Sequence, residues 1–509
     1  MRKKLIVTLG LVAGLATAAP AVAAPAGQAA GPVVKTADGE VRGAASAQVR
    51  SFHGIPYAAP PVGERRWRSP APVVPWTGVR DATSPGAPCA QPAGYPIGVP
   101  GDDEDCLYLN VTTPARATGK LPVIVWIHGG SLMYGTGDMY GPDRLATGGA
   151  VVVSMNYRLG VMGFLANDAV GGEASYGLED QQAALRWVRK NIAAFGGDPR
   201  NVTVTGQSGG GYAVCDHLAS PRSAGLFDRA IVQSAPCATG GSRTMAEAKA
   251  DSDRVVSAVG CASAQDVAAC LRRVPAATLL KAYGAFNEPR PVSGTAVLPL
   301  APAEALRTGR FNRVPVLVGV NHDEENGMVL GQELAPGGAP MKDAEYAPAV
   351  RKQFGERADA VLKRYPLSSY GSAGAALAAL RTDSAWSAPS FDTARLLSRW
   401  TSTRMYEFAE RDTPWFAGYP APSFPARAQH MAELPYIFDL KLFDALTPAQ
   451  ARLGDRLIGL WTGFAATGRA SWPAFQNDGY VQSLTSGAWR RAAFKTGHAY
   501  RFWATLPRA

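Results

Sequence analysis

The sequence predicts an α/β fold: a mostly parallel sheet covered by helices on both faces. Three observations lead there. Short, β-branched runs of buried-strand type recur at Leu121–Ile127, Ala150–Met155, Asn201–Thr205, Ala230–Gln233, Val314–Val320 and Met405–Phe408. Between them lie stretches with apolar residues at helical spacing. In Gln181–Phe195, Ala184, Leu185, Val188 and Ile192 share one face before Gly196-Gly197-Asp198-Pro199 stops the helix. There is no internal repeat and no long polar linker, so one domain over residues 25–509 accounts for the chain, with the helix-rich stretch from about Thr244 to Arg399 inserted near or over the site.

Composition bounds the function. The chain has 509 residues, 47% hydrophobic and 18% charged, which is too apolar for disorder. Its formal net charge of +10 includes Arg2, Lys3 and Lys4 of a leader, and the remainder is spread along the chain, which excludes the basic patch of a nucleic-acid binder. Met1–Lys4 form a positive n-region, Leu5–Thr17 an apolar h-region and Ala21-Val22-Ala23 a small-x-small cleavage site. This predicts a signal peptide over residues 1–24 and a secreted protein. The apolar run falls short of the ~20 residues that span a bilayer. No other span of that length appears, so the mature chain is expected to carry no integral membrane segment.

Export makes the six cysteines available for pairing. Cys89 and Cys106 bracket a Gly/Pro/Asp-rich stretch and Cys261 and Cys270 a short one, so each pair is expected to close a surface loop. Cys215 and Cys237 lie in apolar text and are expected as buried free thiols. The chain has no CxxC and no HExxH, and its six histidines are scattered, so no metal site is expected. Two sequons, Asn110-Val111-Thr112 and Asn201-Val202-Thr203, fall in predicted core strands and are expected to stay unmodified.

The sharpest local feature is Gly206-Gln207-Ser208-Gly209-Gly210, directly after the strand Asn201–Thr205 and before the helical text Tyr212–Ala219. Strand, tight turn and helix form the context a nucleophile elbow needs. The residues two places either side of the serine must be small for strand and helix to approach, and here both are glycine. Ser208 is therefore the candidate nucleophile. Oxyanion donors must come from backbone N–H groups on a nearby loop; Gly129 and Gly130, just past a strand, fit that role together with Gly209, while His128 is expected to shape the loop.

In this arrangement acid and base follow the serine in that order. Only His322, His430 and His498 lie downstream of Ser208. His322 leaves no strand-end carboxylate before it, and His498 sits in a basic run with Arg490, Arg491 and Lys495, where a surface position is expected. His430, in a turn after the Met405–Phe408 strand, is the best base. Asp323, Glu324 and Glu325 all stand just past the strand ending at Val320, where open α/β sheets build their sites, and composition does not choose among them.

The same residues carry a resemblance to the type-B carboxylesterases, the family of cholinesterases and bacterial p-nitrobenzyl esterases. It runs from Val41-Arg42-Gly43 through Gly54-Ile55-Pro56-Tyr57-Ala58, Glu104-Asp105-Cys106-Leu107-Tyr108-Leu109-Asn110, Asn156-Tyr157-Arg158-Leu159-Gly160 and Phe195-Gly196-Gly197-Asp198-Pro199 to Trp461. The resemblance implies an α/β-hydrolase fold and a Ser-Glu-His triad acting on carboxylic esters without a cofactor. Its acid position maps to Glu324. Its histidine precedes the Glu-Leu-Pro-Tyr motif, here His430 before Glu433-Leu434-Pro435-Tyr436, and its loop disulfides match Cys89 with Cys106 and Cys261 with Cys270.

Four positions depart from the family pattern: Gln207 stands for Glu, Gly209 for Ala, Ser131 for a third loop Gly, and Glu325 for the Gly after the acid. Gln207 removes a negative charge beside the histidine, which predicts a lower base pKa than in Glu-bearing relatives. The Cys89–Cys106 loop offers Tyr95 as its only aromatic, which disfavours a choline substrate. The expected partner is a small-molecule ester. The rival reading is a non-catalytic binding or adhesion module; that requires loss of nucleophile or base, and this chain keeps both. A penicillin-recognising hydrolase, suggested by Lys495-Thr496-Gly497, lacks the Ser-x-x-Lys it would need.

Overall fold

Successive residues of Leu121–Ile127 divide between two cores: Val123, Val125 and Ile127 join one apolar cluster, Ile124 and Trp126 the other. A strand buried on both faces divides this way, because side chains alternate with period two. The division repeats at Val153 against Val152, Val232 against Ile231 and Val318 against Leu317. These strands lie in the centre of an eleven-stranded sheet. The computed structural model describes residues 31–93, 97–117, 119–171, 173–240, 242–284, 289–476 and 478–506. The leader and Tyr95 lie outside the described residues.

In chain order the strands are β1 (Val33–Lys35), β2 (Glu40–Arg42), β3 (Ala44–Ala45), β4 (Val49–Pro56), β5 (Val79–Asp81), β6 (Tyr108–Pro114), β7 (Leu121–Ile127), β8 (Val151–Met155), β9 (Gly197–Gln207), β10 (Arg229–Gln233), β11 (Val316–Asn321), β12 (Thr403–Phe408), β13 (Val481–Leu484) and β14 (Arg490–Arg491). The large sheet runs β14-β13-β12-β11-β10-β9-β7-β8-β6-β4-β3, and β1, β2 and β5 make a small separate one. From β8 through β7 to β13 every neighbouring pair is parallel, and antiparallel pairs close both edges. The expected mostly parallel sheet is what forms.

Helices cover both faces. Tyr176–Asn191 places Ala184, Leu185 and Val188 in one core, and Pro448–Thr467 places Leu453, Leu457, Trp461 and Phe464 in the other. The first begins five residues earlier than its periodicity suggests and ends before a short 3-10 turn, Ile192–Phe195, closed by left-handed Gly196 at φ 90°. Asn156-Tyr157-Arg158 follows β8, and the Arg158 guanidinium grips the buried Asp180 of that helix through Nε and Nη2, each at 2.7 Å. Among the described residues between 244 and 399 the regular elements are helices apart from β11, as expected, and the helix Asn326–Leu334 begins directly after the acid loop. Pro32–Ala509 forms one compact unit. Among the described residues no helix is long and apolar enough to cross a membrane.

The cysteines require one correction. Cys89–Cys106 and Cys261–Cys270 are joined as expected, but Cys215 and Cys237 are also a disulfide and not free thiols. Cys215 sits on the helix Gly209–Ala219, which packs on β10, and Cys237 lies just past the end of that strand, so topology brings together residues 22 apart. Apolar sequence surroundings do not distinguish a buried thiol from a buried cystine. Replacing both by Ala is expected to lower unfolding free energy by about 3 kcal/mol, the loop-closure entropy returned to the unfolded chain. Urea titration of that variant checks this; unchanged stability, or free thiols released on denaturing the wild type without reductant, would reject the bridge.

Candidate active site

Ser208 follows β9 directly and caps the helix Gly209–Ala219 with φ 56° and ψ −123°, a conformation that L side chains seldom adopt. The packing around it explains the strain. A Cβ on Gly206 would stand 2.4 Å from the Gly210 carbonyl oxygen, and one on Gly210 would stand 2.0 Å from that of Ile127, so both positions flanking the serine must be glycine. The Ser208 amide donates to the Gln233 carbonyl at 3.0 Å, which fixes the turn to β10. Ser208 itself remains partly exposed.

The loop after β7 presses on this turn. A Cβ on Gly129 would come within 2.8 Å of the Gln207 carbonyl oxygen and 3.4 Å of the Ser208 Cβ, and one on Gly209 within 2.8 Å of the Ser131 nitrogen. Gly130 has φ +102°, and Ser131 and Leu132 follow in left-handed conformations at φ 56° and 58°. Gly129 and Gly209, two of the three glycines expected as oxyanion donors, therefore pack at the elbow, and Gly130 follows Gly129 in the same loop, where a Cβ would meet the Tyr134 carbonyl oxygen. The Ser131 nitrogen lies against Gly209, and a backbone donor is indifferent to the side chain it carries. His128 is buried, with Nδ1 2.9 Å from the Gly129 carbonyl and its ring stacked on Tyr157 at 4.4 Å. Burial pushes its pKa down to about 4, so it is a neutral brace for the loop.

His430 is buried, and its Nδ1 lies 2.6 Å from Glu324 Oε2. The backbone amide of His430 donates to the Glu324 carbonyl at 3.1 Å, and the Asn321 amide donates to Glu324 Oε1 at 2.8 Å. Of the three acids left open by composition, Glu324 is the one on the histidine. Gln207 Nε2 donates to the His430 carbonyl at 2.7 Å, so the residue before the serine holds the backbone of the histidine. Among the described residues the buried His430 Nε2 has no hydrogen-bond partner, and it is the nitrogen a general base would offer.

Electrostatics favour a proton on this ring. Burial pulls the His430 pKa down, but the charge and hydrogen bond of Glu324, with the charges of Glu433 and Glu325, outweigh it and hold the pKa above the ordinary value. In the sequence Glu433 stands out only as the first residue of the Glu-Leu-Pro-Tyr motif. It is fully buried, receives Asn321 Nδ2 at 2.6 Å, and burial and the neighbouring Glu324 push its carboxyl up to about 7. The ring of Trp386, 4.5 Å from that of His430, had no local sequence signal. A cavity of about 470 Å³ opens at His430 and is lined mainly by apolar groups, among them Ile97, Met328, Trp415, Phe416 and Met431.

His498 departs from expectation. It is 2% exposed, with Nδ1 2.6 Å from Asp383 Oδ1 and Nε2 on Glu407 Oε1, while His322 Nδ1 meets the same Glu407 oxygen at 2.8 Å. The basic run ends at the surface, but the short helix Phe494–Gly497 turns the chain inward before residue 498. Among the described residues His322, Glu407 and His498 are the one group with ligand-type atoms close enough to hold a metal ion. The two carboxylates on His498 raise its pKa to about 10 despite burial, which favours the imidazolium carrying a proton on each nitrogen.

The model of the carboxylesterase family matches residues 30–503. Fumonisin B1 esterase of Sphingopyxis macrogoltabida is 35% identical over 89% of this chain and 86% of the relative, and para-nitrobenzyl esterase of Bacillus subtilis 34% over 88% and 93%. A solved PNB esterase structure superposes with TM-score 0.76 at 31% identity, covering 92% of this chain and 99% of its own. With an α/β-hydrolase sheet and a family match over nearly its whole length, the chain belongs to the carboxylesterase family and is a serine hydrolase of ester bonds.

Proposed function

We propose that the enzyme works through Ser208, His430 and Glu324 by way of an acyl-enzyme. Ser208 Oγ attacks the ester carbonyl, His430 Nε2 takes its proton and returns it to the leaving alcohol, and a water then repeats the sequence to release the acid. Glu324 holds the imidazole with Nδ1 protonated and steadies the imidazolium. The backbone amides of Gly129, Gly130, Ser131 and Gly209 are the candidate oxyanion donors, each such donor typically giving ~3 kcal/mol in the transition state. The observation that carries this reading is the buried 2.6 Å contact of Glu324 with His430, on a histidine whose backbone is held by the residue preceding Ser208.

The apolar cavity at His430 suits an ester with an apolar acyl or alcohol group. Secretion is part of the proposal, supported by the leader pattern and by three disulfides, which persist in oxidising compartments. A fluorophosphonate probe followed by peptide mapping tests the nucleophile. The expected result is one adduct, on the peptide that contains Ser208; an unlabelled enzyme, or label on another serine, would reject the assignment.

A further inference from the structure

We propose that Glu325 and Trp386 form a positioning pair that holds the ring of His430 and places a carboxylate beside it, a role that rests on His430 being the base. Trp386 sets its indole against the imidazole, centroids 4.5 Å apart at 51°, and its Nε1 donates to Glu325 Oε1 at 2.7 Å. The backbone amide of Glu325 donates to Thr382 Oγ1 at 3.0 Å. Thr382 and Trp386 belong to one π-helical turn, Thr382–Ser387, a rare geometry that re-aims side chains and is concentrated at functional sites. The acid loop and this turn are thus tied twice, once through the backbone of Glu325 and once through its side chain, with the base between the tie and Glu324.

The pairing gives meaning to two departures from the family pattern. Glu325 stands where the resemblance has Gly, which has no side chain to accept the indole N–H, and Gln207 stands where it has Glu. The charge missing at 207 is present at 325. Around His430 the facing groups are Glu324 and Glu325 from the loop after β11, Glu433 from the following turn, neutral Gln207 from the end of β9 and the neutral indole of Trp386. Glu325 is among the carboxylates that favour the imidazolium. An anion there raises the pH below which the base is lost, so removing it moves the acidic limb to lower pH.

The test is the pH profile of kcat/KM for p-nitrophenyl acetate in the wild type, Glu325→Gln, Trp386→Phe, Trp386→Ala and Glu325→Gln with Gln207→Glu. Glu325→Gln keeps an acceptor for the indole and is expected to lower the apparent pKa of the acidic limb by about half a unit with KM little changed. Restoring a charge with Gln207→Glu should move the limb back up. Trp386→Phe retains the ring and should stay within about threefold of wild-type kcat, whereas Trp386→Ala should lose about tenfold on the plateau. A Glu325→Gln limb that superimposes on the wild type, or Trp386→Ala within twofold of wild-type kcat, overturns the pair. His430→Gln separates the two levels. If it stays active the triad reading falls and the pair with it; if it is inactive while the Glu325→Gln limb is unmoved, only the pair falls.

Discussion

Replacing Ser208 by Ala is expected to lower kcat for p-nitrophenyl butyrate by about 10⁵-fold or more while leaving the fold unchanged. The loss is large because the covalent route disappears, and what remains is the help of the oxyanion donors and of binding. Stability should hold because the strain at this position is in the backbone, φ 56° and ψ −123°, and alanine bears it as serine does. The measurement is burst and steady-state turnover beside a urea melt. Turnover above about 1% of wild type in the variant would reject Ser208 as nucleophile. Glu324→Gln should follow with a loss of about 10⁴, since an amide does not hold the Nδ1-protonated tautomer.

His498→Gln is expected to cost about 3–5 kcal/mol of stability near pH 6, because it leaves Asp383 and Glu407, both buried, without their shared cation. The contacts reach further: Tyr365 donates to Asp383 Oδ2 at 2.6 Å and Trp503 to the Tyr365 hydroxyl at 2.7 Å, so the last helix, Tyr500–Thr505, is pinned to the turn that carries Trp386.

The pH dependence has a definite sign. The folded pKa of His498 is raised to about 10, so its stabilisation is complete below the ordinary value of 6.5 and is lost as pH rises toward 10. Glu407 stays ionised down to about 2: burial opposes this, but its hydrogen bonds to His322 and His498 prevail. Its stabilisation is complete above 4.5 and is lost as pH falls toward 2. Urea midpoints of wild type and variant should therefore differ most near pH 5–6 and converge toward pH 10. A gap that is the same at pH 6 and pH 10, or one below about 1 kcal/mol at pH 6, would remove the buried cation from the account.

The difference between these two predictions shows what was legible beforehand. Ser208 could be read because an elbow is local: strand, glycine, serine and glycine lie within a few residues, although the steric demand that fixes Gly210 comes from the Ile127 carbonyl on β7. His430 was reachable by order along the chain, but the choice of Glu324 over Asp323 and Glu325 needed either the family resemblance or the 2.6 Å contact itself. His498 was misjudged because its charged neighbours at 490, 491 and 495 are local, while its partners at 383 and 407 are not. The same holds for Cys215 and Cys237, where an apolar context says that a sulfur is buried and nothing about what it meets.

By itself the sequence determined the α/β layout, the strands with their two-sided burial, the elbow and the two short disulfide loops, because each rests on periodicity or on contacts between near neighbours. Only the tertiary structure decided which carboxylate faces the histidine, that Trp386 meets both its ring and Glu325, that the Ser131 nitrogen lies against Gly209, and that His498 is buried between two carboxylates. Each of those depends on side chains brought together across the sheet from distant parts of the chain. The free energy of such a group is set by the charges and burial around it, and those are absent from its local text.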